Sequence, residues 1–425
     1  MATENKKYIP ALRFPEFQND GEWKEYPLGQ IFSRITKRNS VNNQNVLTIS
    51  AQYGLISQYD YFNKNVAAID VSNYYHISKY DFAYNKSKSQ GYPYGAIKPL
   101  KLYEDGVVSP LYICFRIKDD RSFVNTFFEY YFESGLIHKE IDKISQEGAR
   151  NHGLLNISTK DFFDKIILYI PSFLEQKKVA DCLSSLDKYI DTAKRKLELL
   201  KEHKKGLMQR LFPAKGKTTP ELRFPEFQND GEWRRCTMNE IFSRITRKNT
   251  INNQNILTIS AQYGLISQYE YFNKNVAAAD VSNYYLIDKH DFAYNKSRSL
   301  GYPYGAIKPL KMYDQGVVSP LYICFRIKDD VQCSNTFFEY YFESELIHKE
   351  IQNMAQEGAR NHGLLNISTE DFFNKIQLYI PSFVEQKKIA DCLSSLEDII
   401  MFYEDVVLEL ELHRKGLMQQ LFPKL

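Results

Sequence analysis

The side chains best placed to do chemistry fall in three short stretches, each present twice. QEGARNHG, at 146–153, returns unchanged at 356–363 and carries Gln, Arg, Asn and His, side chains able to hydrogen-bond base edges in a major groove. Arg150, Asn151 and His152, with Arg360, Asn361 and His362, are the candidates for that contact. NKSKSQGYPYGAIK, at 85–98, returns as NKSRSLGYPYGAIK, with lysines and polar residues around glycines that let backbone approach a phosphate. Lys86, Ser87 and Lys88, with Lys296, Ser297 and Arg298, are the candidates there, the basic ones for phosphates. Tyr92, Tyr94, Tyr302 and Tyr304 either stack on bases or pack. AQYGLISQY, at 51–59 and 261–269, is a third polar and aromatic candidate. The plain alternative for each stretch is a surface turn with solvated lysines and half-buried tyrosines.

The sequence has no GxxxxGK[ST] phosphate loop, no GxGxxG after a strand, no HExxH and no GxSxG, and it also lacks the Pro-Pro-aromatic triplet that holds a flipped base for amino methylation. His138, His152 and His203 recur as His348, His362 and His413 without a metal-ligand partner at helical or loop spacing, so they read as hydrogen-bonding or surface histidines and no metal site is expected. The six cysteines form no CxxC pair, and four of them are two positions seen twice, which reads as small core residues in a reducing compartment. Net charge is only +3, so a basic partner-binding surface has to be local rather than global. With no apolar signal core and no run of 18 apolar residues, the expectation is a cytoplasmic protein that neither is secreted nor meets a membrane.

These stretches are positioned by a unit that occurs twice, at a constant offset of 210 residues. Between 12–186 and 222–396, 36 of 175 positions differ; between 187–205 and 397–415, only four of 19 agree. Each copy mixes β-type runs, such as VLTISA (46–51), DFAYN (81–85) and Val107 to Ile117, with one helical stretch at 125–141 and a last strand in KIILYI. A long helix follows each copy, with apolar residues in four-three alternation from Val179 to Leu211 and from Ile389 to Leu421, interrupted by Lys204 and Arg414. Ser172 with Glu175, and Ser382 with Glu385, form an expected capping box, and Pro213 and Pro423 stop the helices. Each helix, at about 40 residues and roughly 60 Å, needs a partner. Because 187–205 carries net +3 and 397–415 net −4, pairing of one with the other is favoured over self-pairing. An antiparallel pair would set Lys194, Arg195, Lys196 and Lys201 near Asp398, Glu404 and Asp405.

The two modules, each followed by a helix entered by IPSFLEQKKVADCLSSL or IPSFVEQKKIADCLSSL and left by KGLMQRLFP or KGLMQQLFP, resemble the DNA-sequence-specificity subunit of Type I restriction-modification enzymes. The resemblance covers essentially the whole chain. It implies an α+β chain divided as target recognition domain 1 (1–171), spacer helix 1 (172–212), linker (213–220), target recognition domain 2 (221–381) and spacer helix 2 (382–425). It further implies a non-catalytic double-stranded-DNA-binding subunit whose antiparallel helices dock two N6-adenine methyltransferase subunits, and through them restriction subunits that translocate and cleave. S-adenosylmethionine, ATP and Mg would sit on those partners, with no cofactor on this chain. Glu175, Gln176, Leu207 and Phe212, with Glu385, Gln386, Leu417 and Phe422, would face the methyltransferases or seal the ends of the coil. In that family the two recognition domains are commonly dissimilar. Here they are about four-fifths identical, so a bipartite target with matching inverted halves is expected, its half-sites about 34 Å apart. Two other classes stay open on the residues alone: a two-fold protein-binding scaffold, and an autonomous DNA-binding regulator with no enzyme partner.

Overall fold

The computed structural model describes residues 8–50, 53–64, 68, 70–89, 91–145, 153–214, 216–260, 264–273, 280–299, 301–344, 346–354, 356–357 and 365–424. The chain divides into two compact units, the first made of 1–194 with 405–425 and the second of 195–404.

In the first unit the strands are β1 (Lys24–Pro27), β2 (Phe32–Arg34), β3 (Leu47–Ser50), β4 (Gly54–Ser57), β5 (Tyr75–Ser78), β6 (Phe82–Asn85), β7 (Ala96–Pro99), β8 (Asp105–Val108), β9 (Ile113–Ile117) and β10 (Ile167–Ile170). Between them lie the short helices α1 (Leu28–Ile31), α2 (Gln58–Phe62), α3 (Asn125–Glu133), α4 (His138–Ile144) and α5 (Thr159–Asp164), and the long α6 (Phe173–Leu211) follows. The central sheet has the order β2-β9-β6-β7, antiparallel throughout. Strand side chains alternate between faces, and β6 uses both. Phe82 and Tyr84 enter an aromatic core with Phe32, Phe115, Phe128 and Phe162, while Ala83 faces a smaller core with Leu47, Leu55, Ile77 and Val108. The Phe82 and Phe115 rings stack at 5.5 Å.

Val107 to Ile117, which reads as one β stretch, is two strands in different sheets. Tyr112 N donates to Ser109 O to turn the chain between them, β8 pairs with β5, and β9 joins the central sheet. The helical stretch from 125 to 141 is likewise two helices, α3 and α4, separated by a turn in which Gly135 has φ +83°.

The start of α6 packs Val179, Ala180 and Leu183 into the aromatic core. Met418, Leu421 and Phe422, from the end of the second long helix (Phe383–Gln420), enter the same core. Leu12 N donates to Gln420 O at 2.9 Å, which fixes that end against the opening segment. Lys194 pairs with Glu411 at 2.5 Å and Arg414 pairs with Asp187, so partner numbers fall along one helix as they rise along the other. The two helices therefore run antiparallel in this unit.

The second unit repeats the plan 210 residues on. Its central sheet is Phe242–Arg244, Ile323–Ile327, Phe292–Asn295 and Ala306–Pro309 in spatial order, and helices Asn335–Glu343 and His348–Met354 leave the same break. Here Leu211 and Phe212 of α6 enter the core beside Trp233, Phe337 and Tyr341, and Leu222 N donates to Arg210 O at 2.8 Å. Lys201 meets Glu404 at 2.5 Å and Lys204 meets Glu397, again an antiparallel pairing.

The polar residues that interrupt the helix seams have defined partners. Arg414 also reaches Glu133 at 3.3 Å and lies 5.9 Å from the Tyr130 ring, and Lys204 lies 5.1 Å from the Tyr340 ring. Each cation ties a long helix to the aromatic helix of a module. Lys201 and Glu404 meet as the charge pattern of the helices leads one to expect, whereas Lys194 pairs with Glu411, beyond its expected acidic neighbours.

Candidate nucleic-acid interface

Loop 86–95 leaves the end of the central sheet between β6 and β7, which are held in register by Tyr84 against Ile97 and Asn85 against Ala96. Its shape is fixed locally. Tyr84 Oη donates to Tyr94 O at 2.7 Å, and Ser87 N donates to Asn85 Oδ1 at 3.1 Å. Gly95 has φ +76°, and a Cβ there would lie 2.3 Å from Asn85 O, so no larger residue fits. The second unit builds the same loop, with Tyr294 Oη on Tyr304 O at 2.8 Å and Ser297 N on Asn295 Oδ1 at 3.0 Å.

Two of the candidate stretches come together here. Lys88 N donates to Gly153 O at 2.8 Å and Leu155 N donates to Lys86 O at 3.0 Å, so the QEGARNHG stretch ends alongside the lysine loop. Leu365 N makes the matching bond to Lys296 O at 3.0 Å. Arg150, Asn151, His152, Arg360, Asn361 and His362 themselves lie outside the described residues.

Lys86 and Lys296 are half-buried, and burial lowers the pKa of each below the ordinary lysine value. A partly desolvated ammonium is stabilised by an anion that reaches it. Ser87 and Lys88, with Ser297 and Arg298, are exposed on the same loops. The tyrosines turn inward. Tyr92 is half-buried with Lys98 Nζ 5.7 Å from its ring, and Tyr302 has Lys308 at 5.6 Å. Tyr94 and Tyr304 lie 5.2 Å from the rings of His138 and His348, and the Asp142 carboxylate raises the pKa of the Tyr94 phenol. AQYGLISQY forms β4 and the start of α2, apart from Ala51 and Gln52, which lie outside the described residues. Tyr53 and Tyr59 are exposed.

The helix-end residues, for which the sequence leaves open a partner-facing role or sealing of the coil ends, are buried or half-buried. Glu175 and Gln176 are each 1% exposed, as are Glu385 and Gln386. Glu175 takes a bidentate pair from Arg13 at 2.8 and 2.7 Å, and Gln176 accepts from Val124 N at 3.0 Å. Arg223 grips Glu385 in the same way, and Gln386 accepts from Ser334 N at 3.1 Å. The capping box is therefore half made: Ser172 Oγ accepts from Glu175 N at 3.4 Å, but the carboxylate is taken by the guanidinium instead of reaching back to the cap. A bidentate charged pair outcompetes a single bond to a backbone amide. Phe212 and Phe422 are 2% exposed inside the cores, with Leu207 and Leu417 packed against them, so these residues close the module cores at the helix ends. Leu174 and Val384, one position before each buried glutamate, are 67% and 66% exposed. Arg13 and Arg223 were not legible as site residues because each meets its glutamate 162 positions away.

Across its length the chain has the fold of a Type I restriction-modification S subunit. The crystal structure of that subunit from M. genitalium matches at TM-score 0.52 and 14% identity, over 98% of this chain and 100% of that one. The HsdS subunit from Thermoanaerobacter tengcongensis matches at TM-score 0.47 and 11% identity, over 94% and 96%. A chain from a structure on complex assembly and conformational transition of the type I R-M system matches at 0.48 and 13%, over 94% and 97%. No protein-family profile and no curated protein matches the chain. Among the described residues no helix is long and apolar enough to cross a membrane.

Proposed function

We propose that the chain is the DNA-sequence-specificity subunit of a cytoplasmic Type I restriction-modification complex. It binds double-stranded DNA without catalysing a reaction itself. The observation that carries this reading is the full-length likeness to the S-subunit fold, whose modules here each carry an anion-ready lysine loop beside the QEGARNHG stretch. In this reading each module reads one half of a split target, and Arg150, Asn151 and His152, with Arg360, Asn361 and His362, read base edges. Lys86, Lys88, Lys296 and Arg298 hold phosphates, and Ser87 and Ser297 support them. Two adenine-N6 methyltransferase subunits carrying S-adenosylmethionine dock on the chain, and restriction subunits using ATP and Mg join through them. Exposed Leu174 and Val384 are better placed for that docking than the buried glutamates behind them.

Near-identity of the modules leads to a target with matching inverted halves around an unread spacer. Co-expression with the methyltransferase from the same locus, followed by mapping of N6-methyladenine across the host genome, tests this. The expected result is one methylated split motif with matching halves. A stable complex that adds no methylation would remove the specificity role, and clearly different halves would refute the symmetric target.

The lysine loops make a separate prediction. In the Lys86→Gln/Lys296→Gln double variant two phosphate contacts are lost, and each contributes about 0.9 to the slope of log affinity against log salt. That slope is expected to fall by about 2, with weakening on cognate and non-cognate duplexes alike. Loss confined to the cognate duplex would instead make these lysines base readers.

A further inference from the structure

Strand β9 begins beside the place where the lysine loop leaves β6, because Tyr84 is paired with Ile113. Neighbouring strands lie about 4.8 Å apart, so the turn at 109–112 that leads into β9 and the loop that leaves β6 share one end of the central sheet. In the second unit Tyr294 is paired with Ile323, which sets the turn at 319–322 beside the second lysine loop in the same way.

Both turns are stiff. Leu111 N donates to Ser109 Oγ at 3.3 Å and Tyr112 N donates to Ser109 O at 3.0 Å, and Leu321 and Tyr322 make the same two bonds to Ser319 at the same lengths. Pro110 and Pro320 fix the backbone φ of the residue before each leucine. Tyr112 and Tyr322 root the turns by packing against the smaller cores of the modules. Asn295 Nδ2, at the base of the second lysine loop, donates to Tyr322 Oη at 3.3 Å and ties turn to loop. What the turns present are Leu111 and Leu321, 67% and 63% exposed. A single exposed leucine is ordinary on a protein surface. These two stand on rigid turns beside loops with exposed Ser87 and Lys88, or Ser297 and Arg298, at the same place in both modules.

The chemistry of a duplex narrows what a leucine there can meet. Phosphates gain nothing from an apolar side chain, and the faces of the bases are closed within the stack. Along the groove edges, the apolar group that distinguishes one base pair from another is the C5-methyl of thymine, in the major groove. We propose that Leu111 and Leu321 are specificity-determining residues, each packing on one thymine methyl in its half-site next to the phosphates held by the lysine loop. This rests on the DNA-binding reading above. Because the turns are already rigid, the contact forms with little loss of backbone freedom.

The test removes one methyl at a time from the DNA. On a duplex carrying the mapped motif, each thymine in turn is replaced by deoxyuridine, which keeps the pairing edge and lacks only the C5-methyl. The full chain with its methyltransferase is expected to bind roughly four-fold more weakly at one substituted position per half-site, the worth of one methylene-sized group returned to water. In Leu111→Ala/Leu321→Ala that difference should disappear while the melting temperature and the salt slope stay unchanged, since an exposed leucine supports neither a core nor a phosphate contact. Lys86→Gln/Lys296→Gln should do the opposite, lowering the salt slope and keeping the preference for thymine. Half-sites without thymine, equal binding of thymine and deoxyuridine duplexes at every position, or a preference that survives in Leu111→Ala/Leu321→Ala would each overturn the methyl contact and leave the specificity role standing. A leucine variant that weakens thymine and deoxyuridine duplexes by the same factor would also overturn it, and would make the leucines wedges between base steps. Failure to bind any duplex would overturn the specificity role as well.

Discussion

Ending the chain after Gln420 is expected to unfold the first unit while the second stays folded. The five residues removed include Leu421 and Phe422, each 2% exposed. The Phe422 ring lies 5.9 Å from Trp23, 5.7 Å from Phe127 and 6.2 Å from Tyr131, so it closes the aromatic core at its helix end. Removing a buried Phe costs about 3–5 kcal/mol and a buried Leu about 2–5. Their sum is comparable to the roughly 5–15 kcal/mol that holds a whole domain together. In the second unit the same place is filled by Phe212, at 5.6 Å from Phe337 and 6.0 Å from Tyr341, which lies inside the chain and survives the truncation. Limited proteolysis followed by mass spectrometry reads the outcome: rapid cleavage within 8–194 and protection of 220–404. Phe212→Ala in the full-length chain is the mirror experiment and should reverse the pattern. Uniform protection of both units in the truncated chain would show that these two side chains do not close the core.

Much of this arrangement can be read from the chain, and the exceptions share a cause. The long helices, expected at 172–212 and 382–425, are found at Phe173–Leu211 and Phe383–Gln420, because four-three periodicity is a local property that one helix displays in full. Strand partners are not local. Val107 to Ile117 carries one continuous β signal, yet its first half pairs with β5 and its second with β6 and the still more distant β2, a choice settled by residues far away in the sequence. The stretch from 125 to 141 carries helical spacing throughout, and its division reflects the fit of Phe127, Phe128 and Phe132 over the sheet. For the candidate interface, repetition located the lysine loop and its neighbour, and the backbone bonds from Lys88 to Gly153 and from Leu155 to Lys86 bring the end of the second stretch beside the first. Repetition does not report burial. Glu175 and Gln176 are unchanged between the copies and hold the module to its helix, and an unchanged internal contact looks the same in sequence as an unchanged docking site.

That contact carries the second large effect. Glu175→Gln is expected to destabilise the first unit by about 3–5 kcal/mol, the range found when one partner of a buried ion pair is removed. The reason is the arginine left behind. The side chains of Arg13 and Glu175 are 6% and 2% exposed, and the carboxylate's hydrogen bonds are the main influence holding the Arg13 pKa above its ordinary value. A guanidinium that cannot lose its proton must remain charged in the core against a neutral amide. Trp23 Nε1, 3.4 Å from the same carboxylate, would also exchange a charged acceptor for a neutral one. For a unit of this size the loss corresponds to a fall in melting temperature of roughly 6–20 °C. The double variant Arg13→Met/Glu175→Leu removes the stranded charge along with the pair, and buried pairs replaced by apolar residues are often neutral or stabilising. It should therefore recover most of the loss in the first unit, and Arg223→Met/Glu385→Leu should do the same for Glu385→Gln in the second. If Glu175→Gln melts with the unaltered chain, the pair is not the clasp between the opening segment and the helix. If the double variant is as unstable as the single one, the geometry of the pair, rather than the stranded charge, is what the opening segment requires.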